Sequence, residues 1–358
     1  MKKQIIDLSK EIIKINSTKD NPDELKKAID WSKKTLKGFS FKEFNRKDSP
    51  SIIFYNTNKL PKKFKLILNA HLDIVPCKKE QLSSSIQGDK LVGRGSYDMK
   101  SAGVVSLLAF KKLSETIDYP IGLQFVTDEE MGGFDGVHYQ LEEGIRSDFV
   151  ISAEPTNYNI VVKAKGPIWI DITTKGSSAH AAYPWRGENA IVKLNKIIDQ
   201  ILKKWPTPKE EGWQTTCNVA WLKTSNKTAN KVPDEASARL DIRCIPKDVG
   251  RVIPFIKKII DDSTSLVTIE DEPAQSIKEN NPYLQKLRKS AEKIINTSPK
   301  LSNHHGASDV RHFNKFGMVG VEIGPKGYGH HSEEEWVSIK SLENLYKIFL
   351  DFGQRINT

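Results

Sequence analysis

Between residues 169 and 271 the chain reads WIDITTKG (169–176), NAIVKLNKIIDQILKKW (189–205), TTCNVAWLK (215–223), SARLDIRCI (237–245), GRVIPFIKKIIDDS (250–263) and SLVTIED (265–271). Apolar alternation marks the first, third, fourth and sixth stretches as strands, and recurrence at 3.6 residues marks the second and fifth as helices. The order β-α-β-β-α-β is the ferredoxin-like plan, a compact sheet with two helices on one face. Residues 166–273 are therefore expected to fold as an inserted domain. In SARLDIRCI, Ala238, Leu240, Ile242 and Cys244 alternate with Arg239, Asp241 and Arg243. The arginines are expected on the face that the helices leave open, free to meet a ligand or a partner chain.

Outward from this stretch the pattern changes. Short apolar runs at 52–55 (IIFY), 64–70 (FKLILNA), 121–126 (IGLQFV), 149–153 (FVISA) and 318–323 (MVGVEI) are separated by longer helical patterns such as MKSAGVVSLLAFKKL (99–113). Strands apolar on both faces and joined through helices imply an α/β domain with a buried, mainly parallel central sheet. Residues 1–165 and 274–358 are expected to form this domain around the insertion.

With 358 residues, 38% hydrophobic and 28% charged, the chain has enough apolar surface for two cores and excludes disordered, collagen-like and mucin-like classes. The three cysteines, Cys77, Cys217 and Cys244, are odd in number and lack C-x-x-C spacing, which argues against a disulfide framework or a thiolate zinc site and fits a reducing compartment. In MKKQIIDLSKEIIKI (1–15) apolar residues recur at helical spacing, broken by Asp7, Lys10 and Glu11; this reads as a first helix, not a signal peptide. No run approaches the roughly 18 apolar residues of a membrane span. A cytoplasmic protein without membrane contact is expected. The net charge of +10 is dispersed along helices and loops without interleaved aromatics, so nucleic-acid binding is not expected, whereas attraction of small anionic substrates is.

Four buried strands end in side chains able to ligate a metal. ILNA runs into His71 and Asp73, QFVT into Asp128, Glu129 and Glu130, VISA into Glu154, and VEIG leads through a short loop to His330 and His331. In open α/β sheets ligands bind at the carboxyl ends of the strands, so all four point to one rim. In GRGSYDMKSAG (93–103), Asp98 follows a glycine-rich loop and precedes a helix. There it is either a helix cap or a bridging carboxylate that gives one oxygen to each of two ions. The count then suits two metals: His71, Asp98 and Glu154 for one, and Asp98, Glu130 and His331 for the other. Imidazole and carboxylate without thiolate suit zinc, with cobalt or manganese as substitutes. Such ions lower the pKa of a bound water from about 15.7 to about 7. Glu129 stays free as a general base, and Asp73 accepts the imidazole N–H of His71 and fixes its tautomer.

The motifs NAHLDIVP (69–76), GRGSYDMKSAG, TDEEMGG (127–133), SAEPT (152–156), GSSAHAAYP (176–184), NKVPDEASARLDIR (230–243), GASDVR (306–311) and GPKGYGHHSEEEWV (324–337) resemble, in order and spacing, the co-catalytic dizinc amidohydrolases. That family includes acetylornithine deacetylase, succinyl-diaminopimelate desuccinylase, aminoacylase and carboxypeptidase G. The resemblance implies a catalytic α/β domain with a ferredoxin-like lid that often dimerises. It implies metal ligation by His71, Asp98, Glu130, Glu154 and His331, with Glu129 as base and Asp73 as orienting acid. The C-terminal pattern H-x-x-[N/D/E]-E-x-V selects His331 and leaves His330 a loop residue. His180 matches the histidine that enters the neighbouring subunit's site and stabilises the oxyanion. Asn230 and Arg243, with the turn Gly306-Ala307-Ser308, match positions that grip the substrate carboxylate; Asp309 and Arg311 are either part of this or structural, and His304 and His305 match nothing.

The implied activity is hydrolysis of the amide of an N-acyl amino acid, with a dipeptidase or carboxypeptidase as the alternative and a non-catalytic metal-dependent binding protein as the rival class. One position departs from the pattern: desuccinylases carry an arginine two residues before the lid's first glycine, where this chain has Ala164 in VVKAKGP (161–167). The acyl group is left open.

Overall fold

The computed structural model describes residues 1–357 and divides into two compact units. One comprises residues 1–162, 276–302 and the chain from 308 onward; the other comprises Lys163–Gln275 and takes in the short return segment Asn303–Ala307.

The first unit is built on four adjacent parallel strands, in the order Ile121–Val126, Phe64–His71, Ser147–Ser152 and Val319–Glu322. Almost every residue of these strands is buried, as expected of a sheet covered on both faces. The hairpin Ser40–Arg46 and Ser49–Tyr55 extends it antiparallel beyond Ile121–Val126. On one face the helices Lys2–Ile13, Lys100–Leu113, Pro282–Ile295 and Ile339–Arg355 share a single apolar core with the strands. A smaller core, including Val137, Leu141, Val150 and Phe313, fills the other face.

Helix Lys100–Leu113 is apolar nearly all round because it lies deepest, with even Lys100 buried. The Lys100 ammonium donates to the carbonyls of Ile15 at 2.7 Å and Ile12 at 3.3 Å, satisfying the free C-terminal end of the first helix. Register aligns the strand ends: His71 pairs with Val126, Asn69 with Ser152, and Ser152 with Glu322. The residues that follow these strands therefore emerge along one rim.

In the second unit the strands Gly166–Lys175, Thr216–Thr224, Glu235–Cys244 and Thr264–Asp271 form an antiparallel sheet in which Thr216–Thr224, Glu235–Cys244, Gly166–Lys175 and Thr264–Asp271 are successive neighbours. Helices Ala190–Lys204 and Val252–Ile259 cover one face around Ile170, Ile172, Leu194, Leu240 and Ile256. This is the ferredoxin-like order read from the alternation. The Asn189 side chain caps the longer helix, accepting from the backbone N–H groups of Ile191 and Val192 at 3.0 and 3.2 Å. The open-face arginines are paired, not free: Arg239 makes a two-point bond to Asp171 (2.7 and 2.8 Å) and Arg243 pairs with Asp241 (2.9 Å). Alternation places side chains on a face but does not say which cross-strand partner meets them.

Candidate metal centre

His71 ends its strand, and its Nε2 lies 3.1 Å from Asp98 Oδ1 and 4.0 Å from Glu154 Oε2. The other Asp98 oxygen, Oδ2, lies 3.1 Å from His331 Nε2, which is also 3.1 Å from Glu130. Two groups result, His71/Asp98/Glu154 and Asp98/Glu130/His331, each with its donor atoms within 4.8 Å of one another, and Asp98 belongs to both. The cap alternative for Asp98 is not realised: the following helix has Met99 at its N-cap position with no side-chain cap bond, and the Asp98 carboxylate faces the two histidines.

His71, Asp98 and Glu154 are buried, and a buried cluster of charge needs compensation. Burial pushes the Asp98 carboxyl up, but bonds from His331 and His71 outweigh it and hold it well below the usual range. Asp98 and Glu130 raise His331 to about 10. Burial lowers the His71 imidazole, and Asp73 with Asp98 more than reverses this. Burial and neighbouring Glu154 drive the Glu129 carboxyl up, and burial raises Glu154. Imidazole and carboxylate donors converging in two trios on a shared aspartate fit a pair of borderline divalent cations.

The chain holds these groups by identifiable contacts. Asp73 stands at His71 Nδ1, with its carbonyl at 3.1 Å and Oδ1 at 3.4 Å, while its Oδ2 accepts from the backbone N–H of Glu130 at 3.0 Å. Glu335 accepts from the backbone N–H groups of Tyr97 and Asp98 at 2.9 and 3.0 Å and is itself paired with buried Arg94 at 2.7 Å. The C-terminal motif thus fixes the Asp98 loop as well as supplying His331. A buried polar chain runs across the strands: Gln140 accepts from Gln124, Gln124 from Asn69, Asn69 from Ser152, and the Ser152 hydroxyl lies 3.3 Å from Glu154 Oε1. Gly324 lets the chain pass over the Glu154 carbonyl, where a Cβ would stand only 1.9 Å away. His331 has φ +62°, left-handed backbone that costs a non-glycine residue of order 1 kcal/mol and that recurs at functional sites.

Arg311 and His312 close the other side. Both donate to the Gly132 carbonyl, at 2.6 and 2.8 Å, and so pin the turn that carries Glu129 and Glu130. Arg311 also donates to the Ser308 carbonyl at 2.8 Å, and the Ser308 hydroxyl donates to Glu322 at 2.6 Å. Gly133 has φ +67°, and a Cβ there would meet Asp309 Oδ1 at 2.2 Å. Sequence reading left Arg311 open and missed His312, Arg94 and the polar chain; only GASDVR and the Glu334-Glu335 pair hinted at them.

The second unit brings the remaining candidates together in two places. His180 forms a backbone bridge with Lys231, and Ala181 donates to the Asn230 carbonyl at 2.8 Å, so His180 and Asn230 are neighbours. His180 Nδ1 accepts from the Ala182 backbone N–H at 3.1 Å, which in the neutral ring leaves the proton on an exposed Nε2. Arg243 lies at the far end of the strand Glu235–Cys244, beside His305, which precedes Gly306 and Ala307. Eight residues of strand span about 26 Å. Asn230 and Arg243 of one chain therefore lie near opposite ends of the strand and do not meet on one carboxylate.

A parallel sheet that delivers His, Asp and Glu side chains to one rim as two trios sharing an aspartate defines an α/β metallohydrolase centre. A profile of Peptidase family M20/M25/M40 matches residues 67–355. A succinyl-diaminopimelate desuccinylase from Pelagibacter ubique (strain HTCC1062) is 30% identical over 305 residues, covering 78% of this chain and 79% of that protein. A probable carboxypeptidase from Ajellomyces capsulatus is 29% identical over 271 residues, covering 69% of this chain and 62% of the relative. The structure of a dinuclear metal binding peptidase from Bacillus subtilis superposes with a TM-score of 0.69 at 11% identity, covering 98% of this chain and 97% of that one. The chain belongs to peptidase family M20/M25/M40, and is a metal-dependent hydrolase of amide or peptide bonds.

Proposed function

We propose that this protein is a zinc-dependent deacylase that cleaves the amide of an N-acyl amino acid, releasing the amino acid and a carboxylate. The observation that carries the reading is Asp98, whose two oxygens each lie 3.1 Å from a different histidine. His71 and Glu154 with Asp98, and Glu130 and His331 with Asp98, would hold two zinc ions, with cobalt or manganese as substitutes. Bound there, such ions polarise the scissile carbonyl and make water acidic near neutral pH.

Glu129, in the turn pinned through Gly132, takes a proton from the attacking water on its carboxylate and returns it to the leaving amine. Asp73 keeps the His71 proton on Nδ1, so that Nε2 presents its lone pair. His180, with its proton on exposed Nε2, donates to the developing oxyanion of a neighbouring subunit. The wide separation of Asn230 and Arg243 supports a partner's contribution: His180 and Asn230 serve a partner's site, in a homodimer formed through the inserted unit, and Arg243 with the Gly306-Ala307-Ser308 turn matches positions that grip the substrate carboxylate. The insert, 166–273 in the motif reading, is thus both lid and dimerisation domain. Three free cysteines support a reducing, cytoplasmic setting.

A peptidase reading has support from the carboxypeptidase relative. One assay separates the two: hydrolysis of N-acetylornithine, N-succinyl-diaminopimelate, N-acetylmethionine and dipeptides before and after chelation. Chelator-sensitive cleavage of acyl amino acids supports the deacylase; cleavage of dipeptides alone moves the assignment to a peptidase. No cleavage of either class after zinc addition leaves a metal-dependent binding protein.

A further inference from the structure

A cleft of about 420 Å³ lies wholly within the first unit, where the turn after Glu154 meets the chain leaving helix Pro282–Ile295. None of the five metal-ligand candidates lines it. Its walls are tied by the backbone: Asn157 donates to the Pro325 carbonyl at 3.1 Å, Tyr158 to that of Gly324 at 3.0 Å, and Ile160 to that of Lys300 at 2.9 Å. Three non-glycine residues in left-handed conformation shape these walls, Asn157 (φ +54°), Tyr158 (φ +68°) and Asn296 (φ +57°), a backbone state that recurs where ligands are held.

The polar groups of the cleft are nearly all donors. Lys300 and Lys326 line it, neither has a carboxylate within ion-pairing distance among the described residues, and no acidic side chain is part of the lining. Singly, an exposed lysine needs no partner; what marks this cleft is convergence. Behind Ser298 stands a third cation, Arg288, whose Nε donates to the Ser298 hydroxyl at 3.1 Å and so leaves the hydroxyl proton for a ligand. Asn157 accepts from the Gly327 N–H at 3.0 Å with its side-chain carbonyl, and its amide N–H groups have no partner in the protein. The side chains of Asn159 and Thr297 are likewise unpartnered. Asp89, the acid whose charge reaches Tyr158, already receives the Ser338 hydroxyl and the Lys340 N–H.

We propose that this cleft binds a phosphoryl group, carried by a small phosphate monoester or present as free phosphate. A monoester has a charge of about −1.5 to −2 near pH 7, which two ammonium groups balance, and its three terminal oxygens suit the surrounding hydroxyl and amide donors. A phosphoryl group fills only part of the volume. Ile295, Pro299 and Tyr158 supply an apolar wall for the organic part of a monoester. The site does not depend on the deacylase reading.

Calorimetric titration of the zinc-loaded protein with glycerol 3-phosphate, inorganic phosphate and succinate tests this, in the wild type and in a Lys300→Gln/Lys326→Gln variant. Both lysines are exposed, so the variant should fold and keep the wild-type zinc content. Phosphate that goes to the metal centre binds both proteins alike, whereas binding in the cleft should weaken at least about tenfold in the variant. Lys300→Arg/Lys326→Arg should retain it. Tighter binding of glycerol 3-phosphate than of phosphate identifies a monoester as the ligand, and equal affinity identifies free phosphate. Identical isotherms in the wild type and the glutamine variant overturn the proposal. So does succinate binding more tightly than either phosphate in a manner that the variant abolishes. If the double variant does not fold, Lys300→Gln and Lys326→Gln are each read in the same way.

Discussion

Asp98 and Glu129 show how much depends on where a carboxylate points. Asp98 faces two histidines, whereas Glu129, next to Glu130 in sequence, belongs to neither trio of donors. If Glu129 is the base proposed above, Glu129→Gln removes the proton acceptor but no member of either trio, and is expected to lower kcat by about 10²- to 10⁴-fold while bound metal, read by plasma emission, stays unchanged. A second prediction concerns the thiols. Burial pushes the Cys217 and Cys244 thiols up to about 12, leaving a thiolate fraction of roughly 10⁻⁴ at pH 8. A thiol reagent at pH 8 should therefore modify half-buried Cys77 in the native protein, and Cys217 and Cys244 only after unfolding. At this scale the sequence was most legible where chemistry repeats a spacing: His71-x-Asp73 and the order of the five ligand candidates could be read directly. The tautomer of His180 could not, because it is set by a backbone N–H two residues on.

The elements that matter most are short turns held from a distance. The Glu129–Gly133 turn hangs on the Gly132 carbonyl, which receives both Arg311 and His312 from a segment nearly 180 residues away in sequence. Arg311→Met removes a buried charged donor from two carbonyls, so it should cost about 2–3 kcal/mol in denaturant unfolding. With the turn loosened, kcat should fall by at least about tenfold with little change in KM, since displacing a catalytic group by about 1 Å is enough for a large loss. If stability falls while kcat stays put, Arg311 is purely structural. Strands and helices were legible because periodicity is local. The alternatives for Asp98 were not, because Glu335 and His331 decide between them from more than 200 residues away. The buried Asn69–Gln124–Gln140 chain was likewise hidden, since polar residues inside apolar strands look like interruptions until register pairs them.

For the molecule as a whole, each of the two units is built around apolar clusters of its own. His71, Asp98, Glu130, Glu154 and His331 all belong to the first unit, while His180 and Asn230 lie at one end of the insert's sheet and Arg243 at the other. If His180 serves a partner's site, His180→Ala and Glu129→Gln are defects in different halves of a site. Mixed and reassembled in equal amounts, two nearly inactive variants should regain about a quarter of wild-type activity, because half of the dimers are mixed and each has one intact site. No recovery after verified subunit exchange would confine His180 to its own chain. The insertion and its β-α-β-β-α-β plan were legible in the sequence, but the return of Asn303–Ala307 to the second unit was not, since five residues carry no period.

If Asp98 is shared between two ions, metal stoichiometry reports it most directly. Plasma emission on the zinc-equilibrated protein should give two ions per chain, and Asp98→Ala should retain fewer than one with hydrolysis lost. Two ions still bound by active Asp98→Ala protein, or a wild-type protein that saturates at one, would contradict it.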